Sequence, residues 1–346
     1  MLKSLQKAFK VKEVRDRLLY TFMMLVVIRI GCCLPIPGVD PSYLHDFFSN
    51  LQNSGMGFFN AITGGSFSSM SIFALSITPY ITSSIIMQLL TIAIPKLEEM
   101  QKDGEDGRKK IAEYTRYLTV GLALFESCAM AVGLGGKGLL LEDHRNIWGY
   151  LTVVAAMTAG SALLMWIGER ITDNGVGNGI SIVLLINIVS GTPQDMMTLY
   201  ERFMAGRSVA VATVSGIIVL AIIVAIVVFV LVLNDAERRI PVQYSKKMQG
   251  RRMIGGQSTY IPLKVNTANV IPVIFASSIM SMPVMIAQFF HVDYSTIGGK
   301  ILLALSSSNW FKPEAPAYSI GMLVYIILVV LFAYFYTSIT FNPLEV

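Results

Sequence analysis

The sequence is short of charge. Only 14% of its 346 residues are Asp, Glu, Lys or Arg, against about a quarter in ordinary soluble domains, while 54% are apolar. The deficit excludes a soluble globular enzyme as the default interpretation, and the high hydrophobicity excludes an intrinsically disordered chain. The composition therefore predicts a membrane protein built from several apolar helices.

Cysteine and histidine are also scarce. Three cysteines, of which Cys32 and Cys33 are adjacent, cannot form a disulfide framework. The sequence contains no His-Glu-x-x-His zinc motif and no phosphate-binding loop that ends in Gly-Lys-Ser/Thr. Gly175-Val176-Gly177-Asn178-Gly179 resembles a nucleotide loop only superficially, because it follows an apolar span and not a strand. We predict no catalytic residue, no metal site and no cofactor.

Eight apolar runs approach the roughly 20 residues that an α-helix needs to cross a bilayer. The fifth is weak, because Ser190-Gly191-Thr192-Pro193 interrupts it. The first follows a basic stretch, as in a signal peptide, but Pro35-Ile36-Pro37-Gly38 stands where a small-residue cleavage site would be. We therefore predict eight spans, at about 18–34, 71–94, 117–134, 147–168, 180–197, 209–233, 265–290 and 318–341.

The lysines and arginines fix the predicted orientation. Twenty of the 27 fall in the N-terminal segment and in the loops after the second, fourth and sixth spans, six fall in the alternate loops, and Arg29 lies inside the first span. Cytoplasmic loops are enriched in Lys and Arg, so we expect a cytoplasmic N-terminus. The net charge of +5 is then mainly an orientation signal.

The spacing of the spans indicates an inverted repeat. The centres of spans 6 to 8 follow those of spans 1 to 3 at offsets of roughly 200 residues, and the long loops before spans 2 and 7 lie on opposite sides. We predict an N-terminal half at 1–200 with five spans and a C-terminal half at 201–346 with three. The second half lacks counterparts of spans 4 and 5, so we expect the chain to be C-terminally incomplete.

The second span of each predicted half contains proline, Pro79 in one and Pro272 with Pro283 in the other. Paired interruptions of this kind point to a functional pathway, although ordinary proline kinks also explain them. Ahead of Pro79, the glycine-rich stretch 55–67 is apolar but too short to cross. It suits a re-entrant segment that lines a cavity, or a helix on the membrane surface.

Ionisable residues inside the spans are few, and only Arg29 and Glu126 are clear examples. An ion-coupled transporter normally has carboxylates or several polar ligands on its interrupted helices, where this sequence has no acid. Glu126 is open to interpretation as a proton relay or, more simply, as a structural partner for Arg29 or for a neighbouring helix.

Bulky aliphatic residues occupy the interrupted spans instead. If they converge, they form a hydrophobic constriction that closes a water path without selecting a particular ion, whereas isolated pairs are better explained by lipid contact or core packing. The candidates are Ile77, Ile81, Ile180, Leu184 and Ile274.

The predicted inside loop 234–264 concentrates positive charge. It contains seven Lys and Arg residues and two acids. A solvated cytoplasmic loop needs only a few positive charges. The excess suggests a docking surface for an anionic partner, such as acidic protein or RNA phosphate.

Several long motifs resemble the bacterial SecY family, in the family's order and across essentially the whole chain. They are residues 71–81 (SIFALSITPYI) and 85–90 (IIMQLL), 104–110 (GEDGRKK) with 114–117 (YTRY), 177–182 (GNGISI), 249–252 (QGRR), 257–259 (QST) and 262–266 (PLKVN). The resemblance implies an all-α polytopic membrane protein with a SecY-like inverted repeat, of which this chain would supply the first eight of ten spans.

The resemblance also implies a function, that of the central channel subunit of the Sec translocon. Such a channel passes unfolded secretory polypeptides across the bacterial plasma membrane and releases membrane segments sideways into lipid. Its implied partners are SecE and SecG subunits, the SecA motor, the ribosome, translocating polypeptides and membrane lipid. It is not itself an enzyme, because the motor or ribosome supplies the driving force.

The resemblance assigns residues to four parts of that channel. The five aliphatic candidates match the family's pore ring, with Leu184 a departure from isoleucine, and residues 55–69 match the plug. Arg251 and Arg252 match the tip of the loop that docks SecA and ribosomes. Gln88 and Asn266 would be polar contributors to the lateral gate. The plug residues are Met56, Phe59, Asn60, Ile62 and Phe67.

Two other classes of protein stay open from the residues alone. A secondary transporter has the same inverted-repeat logic and would show saturable, gradient-driven uptake of one small solute. An intramembrane hydrolase is the weaker alternative, because hydroxyl residues such as Ser83-Ser84 or Ser277-Ser278 more often pack helices together.

Overall fold

The structure is a computed structural model that describes residues 10–40, 63–134, 140–141, 145–242, 247–249, 252–254, 259–289, 296–306, 309–310 and 316–340. Within these ranges the chain is mainly helical. Its helices are α1 (Lys12–Cys33), α2 (Thr78–Ala93), α3 (Pro95–Lys102), α4 (Glu105–Leu134), α5 (Ile147–Asn174), α6 (Gly179–Phe203), α7 (Val209–Asp235), α8 (Ile271–Phe289), α9 (Ile297–Leu305) and α10 (Ile320–Thr340).

Each predicted span overlaps one of these helices, in order α1, α2, α4, α5, α6, α7, α8 and α10, although α2 begins later than its predicted span and α4 begins earlier. Among the described residues, α5, α6, α7 and the segment Pro316–Ser338 are long and apolar enough to cross a membrane by length and composition alone. The α2–α3 pair also qualifies as one bent span, with an angle of 102° at the break.

Pro79 begins a helix and does not kink one. It lies in the first turn of α2, where a missing backbone N–H costs no hydrogen bond. Residues 63–77, which precede the helix, form a chain of turns and are largely buried. The expected 71–94 span therefore begins as irregular backbone over residues 71–77 and is helical from Thr78 to Ala93. Irregular backbone at membrane depth requires surrounding protein or water.

The expected break in the fifth span is absent. Helix α6 runs without interruption from Gly179 to Phe203, with Pro193 inside it. Pro272 likewise lies in the first turn of α8, and only Pro283 is internal to that helix. Among these four prolines, Pro79 and Pro272 therefore lie at helix starts and Pro193 and Pro283 lie inside helices, which the sequence pattern alone did not distinguish.

The chain divides into two compact units, Met1–Pro193 with Ser277–Tyr325 and Gln194–Ala276 with Ile326–Val346. In the first unit, α4 packs along both α2 and α5. Gly160 allows α5 to approach the turn segment closely, because a Cβ there would lie 2.0 Å from the carbonyl oxygen of Ile72. The buried hydroxyls of Ser83 and Thr119 are hydrogen-bonded to each other between α2 and α4.

The second unit contains α7 and two hairpins that the sequence pattern did not predict. Strand β1 (Glu237–Val242) pairs antiparallel with β4 (Thr259–Lys264), so that Glu237 faces Lys264 and Val242 faces Thr259. Strands β2 (Lys247–Gln249) and β3 (Arg252–Ile254) form a second, shorter pair. The guanidinium of Arg239 lies over the ring of Tyr260 at 4.7 Å. The basic loop is thus an ordered β-structure in its described parts.

Candidate functional site

Four of the five predicted ring residues lie in one hydrophobic cluster of the first unit. Ile77 is fully buried there, and Ile81, Ile180 and Leu184 are partly buried and packed against the same core. The cluster also contains apolar residues of α1 and α5. The structure therefore brings together side chains from α2 and α6 that are about 100 residues apart in the sequence.

Gly168 of α5 is the point at which the two isoleucines meet. A Cβ built on this glycine would lie 3.5 Å from Cγ1 of Ile180 and 3.6 Å from Cδ1 of Ile77. Both side chains therefore lie against the same small patch of α5, which supports the prediction that Ile77 and Ile180 converge.

The start of α6 positions Ile180. The side-chain oxygen of Asn178 accepts hydrogen bonds from the backbone N–H groups of Ile180 and Ser181, at 3.0 and 3.3 Å. The N–H of Gly179 donates to Oγ1 of Thr172 at 2.9 Å. A Cβ on Gly179 would lie 1.9 Å from the carbonyl oxygen of Gly168, so only glycine permits this approach of α6 to α5. The Gly175–Gly179 motif is a helix start and not a nucleotide loop.

Ile77 takes its position from the turn that precedes α2. Its carbonyl oxygen accepts hydrogen bonds from the N–H groups of Tyr80 and Ile81, both at 3.1 Å, which begin the helix. The residue before it, Ser76, has a φ of 53°, in the left-handed region. The direction of Ile77 therefore depends on an uncommon backbone conformation.

Ile274, the fifth predicted ring residue, lies in the second unit. It is partly buried in the first turns of α8, two residues after Pro272. The adjacent Phe275 stacks on Phe332 of α10, with ring centroids 5.1 Å apart. Its membership of the ring stays a prediction.

The predicted plug is described only at its C-terminal end. Met56, Phe59, Asn60 and Ile62 lie outside the described residues. Phe67 is 1% exposed and packs in a core with residues of α4 and α5. The N–H of Ile36 donates to the carbonyl oxygen of Met70 at 3.0 Å, and that of Ile72 to the carbonyl oxygen of Leu34 at 3.0 Å. The segment just after α1 thus holds the segment that enters α2.

The remaining predicted residues have varied surroundings. Gln88 is exposed on α2. The side-chain oxygen of Asn266 accepts a hydrogen bond from the N–H of Asn269 at 3.0 Å, so it stabilises the turn before α8. Arg252 begins β3, and Arg251 lies outside the described residues. The gate and docking assignments of these residues stay predictions.

A charged pair joins α4 to α5 beyond the apolar cluster. Nε of Arg116 lies 2.8 Å from Oε1 of Glu169. The hydrogen bond to Glu169 raises the pKa of the Arg116 guanidinium above its ordinary value. The two side chains are 47% and 23% exposed, so water screens the pair.

Sequence reasoning missed a polar cluster beside the ring. Arg29 donates to Ser190 and not to Glu126, and Asn187 and Ser76 are fully buried next to this contact. Glu126 has no hydrogen-bond partner for Oε2 among the described residues. The available signal was a lone arginine in an apolar span, because such a residue requires a polar partner. The sequence could not say which helix supplied it.

Comparisons with known proteins identify the family of the chain. A sequence model of the SecY family matches residues 71–346. The protein translocase subunit SecY of Streptomyces scabiei is 44% identical over 358 residues, which cover 100% of this chain and 78% of that protein. The SecY subunit of Pseudomonas aeruginosa is 39% identical over 338 residues, which cover 96% and 73%.

Solved structures resemble the fold. A structure described as a protein-conducting channel matches with a TM-score of 0.56 and 20% identity, and covers 92% of this chain and 71% of that chain. Sec61 in the canine ribosome–channel complex from the endoplasmic reticulum matches with a TM-score of 0.58 and 21% identity, and covers 96% and 75%. At these identities, the match establishes the polytopic helical fold.

Proposed function

The chain belongs to the SecY family, and we propose that it acts as a protein-conducting channel subunit whose aliphatic ring closes the path at rest. The observation that carries this proposal is the convergence of Ile77 and Ile180 over Gly168, with Ile81 and Leu184 in the same cluster. Such a lining has no ligand for a particular ion or solute, so it suits a substrate of variable sequence better than a selective transporter.

The ring works by exclusion of water. Branched aliphatic side chains in a narrow passage offer water no hydrogen bonds, so the passage dewets and ions cannot cross. An unfolded polypeptide displaces the same side chains without the loss of specific contacts, because their packing is non-directional. The subunit needs no catalytic group for this role, and we propose that the motor or the ribosome supplies the driving force.

The other parts of the channel follow from the family. We propose that residues 55–69 form the plug, that Gln88 and Asn266 contribute to the lateral gate, and that Arg251 and Arg252 dock SecA or the ribosome. SecE and SecG would complete the complex. The multi-pass protein would lie in the bacterial plasma membrane with a cytoplasmic N-terminus, as the positive charges favour.

The ring is tested by loss of one side chain from α2. In a purified complex with its SecE and SecG partners, Ile81→Gly should raise the resting ion conductance across a planar lipid bilayer severalfold, because water enters the widened constriction. Ile92→Gly is the matched control. Ile92 lies near the C-terminal end of the same helix and is 48% exposed, so the substitution makes the same chemical change without touching the predicted ring.

The outcome separates the two interpretations of these aliphatics. A leak in Ile81→Gly and none in Ile92→Gly supports the ring. Equal conductance in both variants, with polypeptide transport intact, would show that Ile81 only packs the core and would reject its place in the ring.

A further inference from the structure

A chain of hydrogen bonds links α1 and α6 to the turn before α2. Nη1 of Arg29 donates to Oγ of Ser190 at 2.8 Å, and that hydroxyl donates to the carbonyl oxygen of Asn187 at 2.6 Å. Nδ2 of Asn187 in turn donates to Oγ of Ser76 at 2.9 Å. We call these four residues the polar latch. It ends on the residue immediately before Ile77.

Two hydrogen bonds from neighbouring helices hold Ser76 in an unfavourable backbone conformation. Its φ of 53° is uncommon for a residue with a side chain. Asn187 holds its hydroxyl, and Oγ of Ser161 on α5 donates to its carbonyl oxygen at 3.2 Å. Strained backbone of this kind persists only where surrounding contacts determine it, and it is concentrated at functional sites.

The beginning of the same turn segment also rests on the latch. Gly64 has a φ of 65°, and a Cβ on it would lie 2.8 Å from the carbonyl oxygen of Asn187 and 2.9 Å from Oγ of Ser190. The backbone of residue 64 is therefore seated directly on this part of α6. Both ends of the described segment 63–77 depend on Asn187.

Asn187 is an unfavourable choice if stability alone matters. It is fully buried, and its Oδ1 has no hydrogen-bond partner among the described residues. An unpaired buried acceptor lowers stability, whereas an apolar side chain of similar size at this position would carry no such penalty. Its one side-chain hydrogen bond goes to the strained residue beside the ring. This arrangement favours a positioning role over simple packing.

We propose that Asn187 is a positioning residue that keeps the segment 63–77, and with it Ile77, in the closed arrangement of the channel. The inference rests on the proposed function, because it gives Asn187 a task only if Ile77 belongs to the ring. Asn187 does not touch the translocating polypeptide in this role. It acts through Ser76.

The test measures the resting ion conductance of the assembled complex in planar lipid bilayers bathed in potassium chloride solution. Transport of a secretory preprotein by the same complex is measured in parallel. Asn187→Leu keeps the branched shape and the number of side-chain heavy atoms and removes the amide, and we expect about a tenfold rise in conductance with preprotein transport retained. Ser190→Ala, a smaller change that leaves Asn187 in place, should give a smaller rise. Ser190→Ala also provides a second test of the proposal if the Asn187→Leu complex assembles poorly.

Thr198→Val is the matched control. Thr198 lies on the same helix, and its hydroxyl donates a hydrogen bond to the carbonyl oxygen of Gln194 at 3.0 Å, within its own helix. This variant should conduct like the unmodified complex. A structural defect in α6 would instead lower the amount of complex and every activity in proportion.

A double-mutant cycle tests the route through Ser76. Ser76→Ala removes the hydroxyl that Asn187 holds but keeps the Cβ that makes the positive φ unfavourable, so it should leak by itself, and Asn187→Leu should add nothing further in that background. Additive leaks would overturn the route through Ser76. Conductance of Asn187→Leu equal to that of Thr198→Val, at equal amounts of complex, would overturn the positioning role. Failure of the unmodified complex to transport the preprotein would instead reject the proposed function.

Discussion

At the scale of single residues, Gly168 determines how closely the ring is packed. An added Cβ would make ordinary contacts of 3.5 and 3.6 Å with Ile180 and Ile77, so alanine fits without movement of either side chain. Valine would add two further methyl groups to filled space. A side chain at position 168 can therefore be no larger than that of alanine without disturbing Ile77 and Ile180.

We predict different outcomes for the two substitutions at this position. Gly168→Ala should change the free energy of unfolding by less than about 1 kcal/mol, whereas Gly168→Val should lower it by about 1–3 kcal/mol through overpacking. Valine should also raise resting conductance, since it displaces Ile77 or Ile180. Thermal unfolding in detergent and bilayer conductance measure the two effects. Identical behaviour of both variants would contradict the packing described here.

We predict that the Arg116–Glu169 pair makes a small contribution to the stability of the fold, and that this contribution does not change with pH near neutrality. Half-exposed pairs contribute about 0–1 kcal/mol, so Arg116→Met should lower the melting temperature only slightly. The pKa of Arg116 is raised, so its contribution is complete below the ordinary arginine pKa and is lost only as pH rises through the raised value. Melting temperatures of both proteins between pH 6 and 9 should therefore differ by a constant amount. A difference that grew with pH in this range would show that another group titrates with the pair.

At the scale of elements, α6 depends on its first turn. The side-chain oxygen of Asn178 accepts hydrogen bonds from two backbone N–H groups at the start of the helix. We predict that Asn178→Ala lowers the free energy of unfolding by about 1 kcal/mol, as loss of an N-cap commonly does, whereas Asn178→Asp retains the acceptor and most of the stability. Thermal unfolding of the two variants in the same detergent provides the comparison. Equal losses of stability in Asn178→Ala and Asn178→Asp would mean that the side-chain NH2 group of Asn178 matters and that its capping oxygen does not.

The helices were predictable from the sequence because apolar runs of membrane length have few alternative structures. The effect of each proline on its helix was not predictable from the sequence. At Pro79, where α2 starts, the sequence left an interruption and an ordinary kink open, and it indicated a break before Pro193, where α6 continues. A proline N–H is missing in both cases, but only the surrounding contacts decide whether a helix begins there or tolerates it.

The candidate site was predictable in its apolar part and not in its polar part. Ile77, Ile81, Ile180 and Leu184 follow motifs with fixed positions, and all four lie in one cluster. Ser76, Asn187 and Ser190 are ordinary residues in sequence, whose importance comes from contacts across more than 100 positions. The hairpins of the basic loop were missed as well, because their strands are short and polar and lack a clear alternation.

At the scale of the whole molecule, the charges are segregated. The loop 234–264 contains seven Lys and Arg residues, of which Arg238, Arg239 and Lys264 lie on the paired strands β1 and β4. Ordered strands hold these charges at fixed spacings, which a flexible loop would not. The arrangement favours recognition of an anionic surface over simple orientation of the chain.

Reversal of charge in this loop tests the docking role. We predict that Arg251→Glu with Arg252→Glu lowers affinity for SecA or ribosomes at least tenfold without change in membrane insertion, and that added salt weakens binding of the unmodified complex. Arg202→Glu with Arg207→Glu is the control, because this pair has the same charge change but lies in the last turn of α6 and just after it, on the side of the membrane predicted to be opposite. Co-sedimentation with ribosomes and binding of purified SecA report the result. Unchanged affinity in the loop variant, or an equal loss in the control, would reject docking through these arginines.

The residues of the polar latch are synthesised at different times. Ser76 and Asn187 are 111 residues apart, so at about 5–20 residues per second a ribosome needs on the order of 10 s between them. During that interval, the first half of the ring has been synthesised but the residue that positions it has not. With the proposed role of Asn187, Ile77 can take its closed position only after residue 187 has been synthesised, so closure of the channel would be a late event of biogenesis.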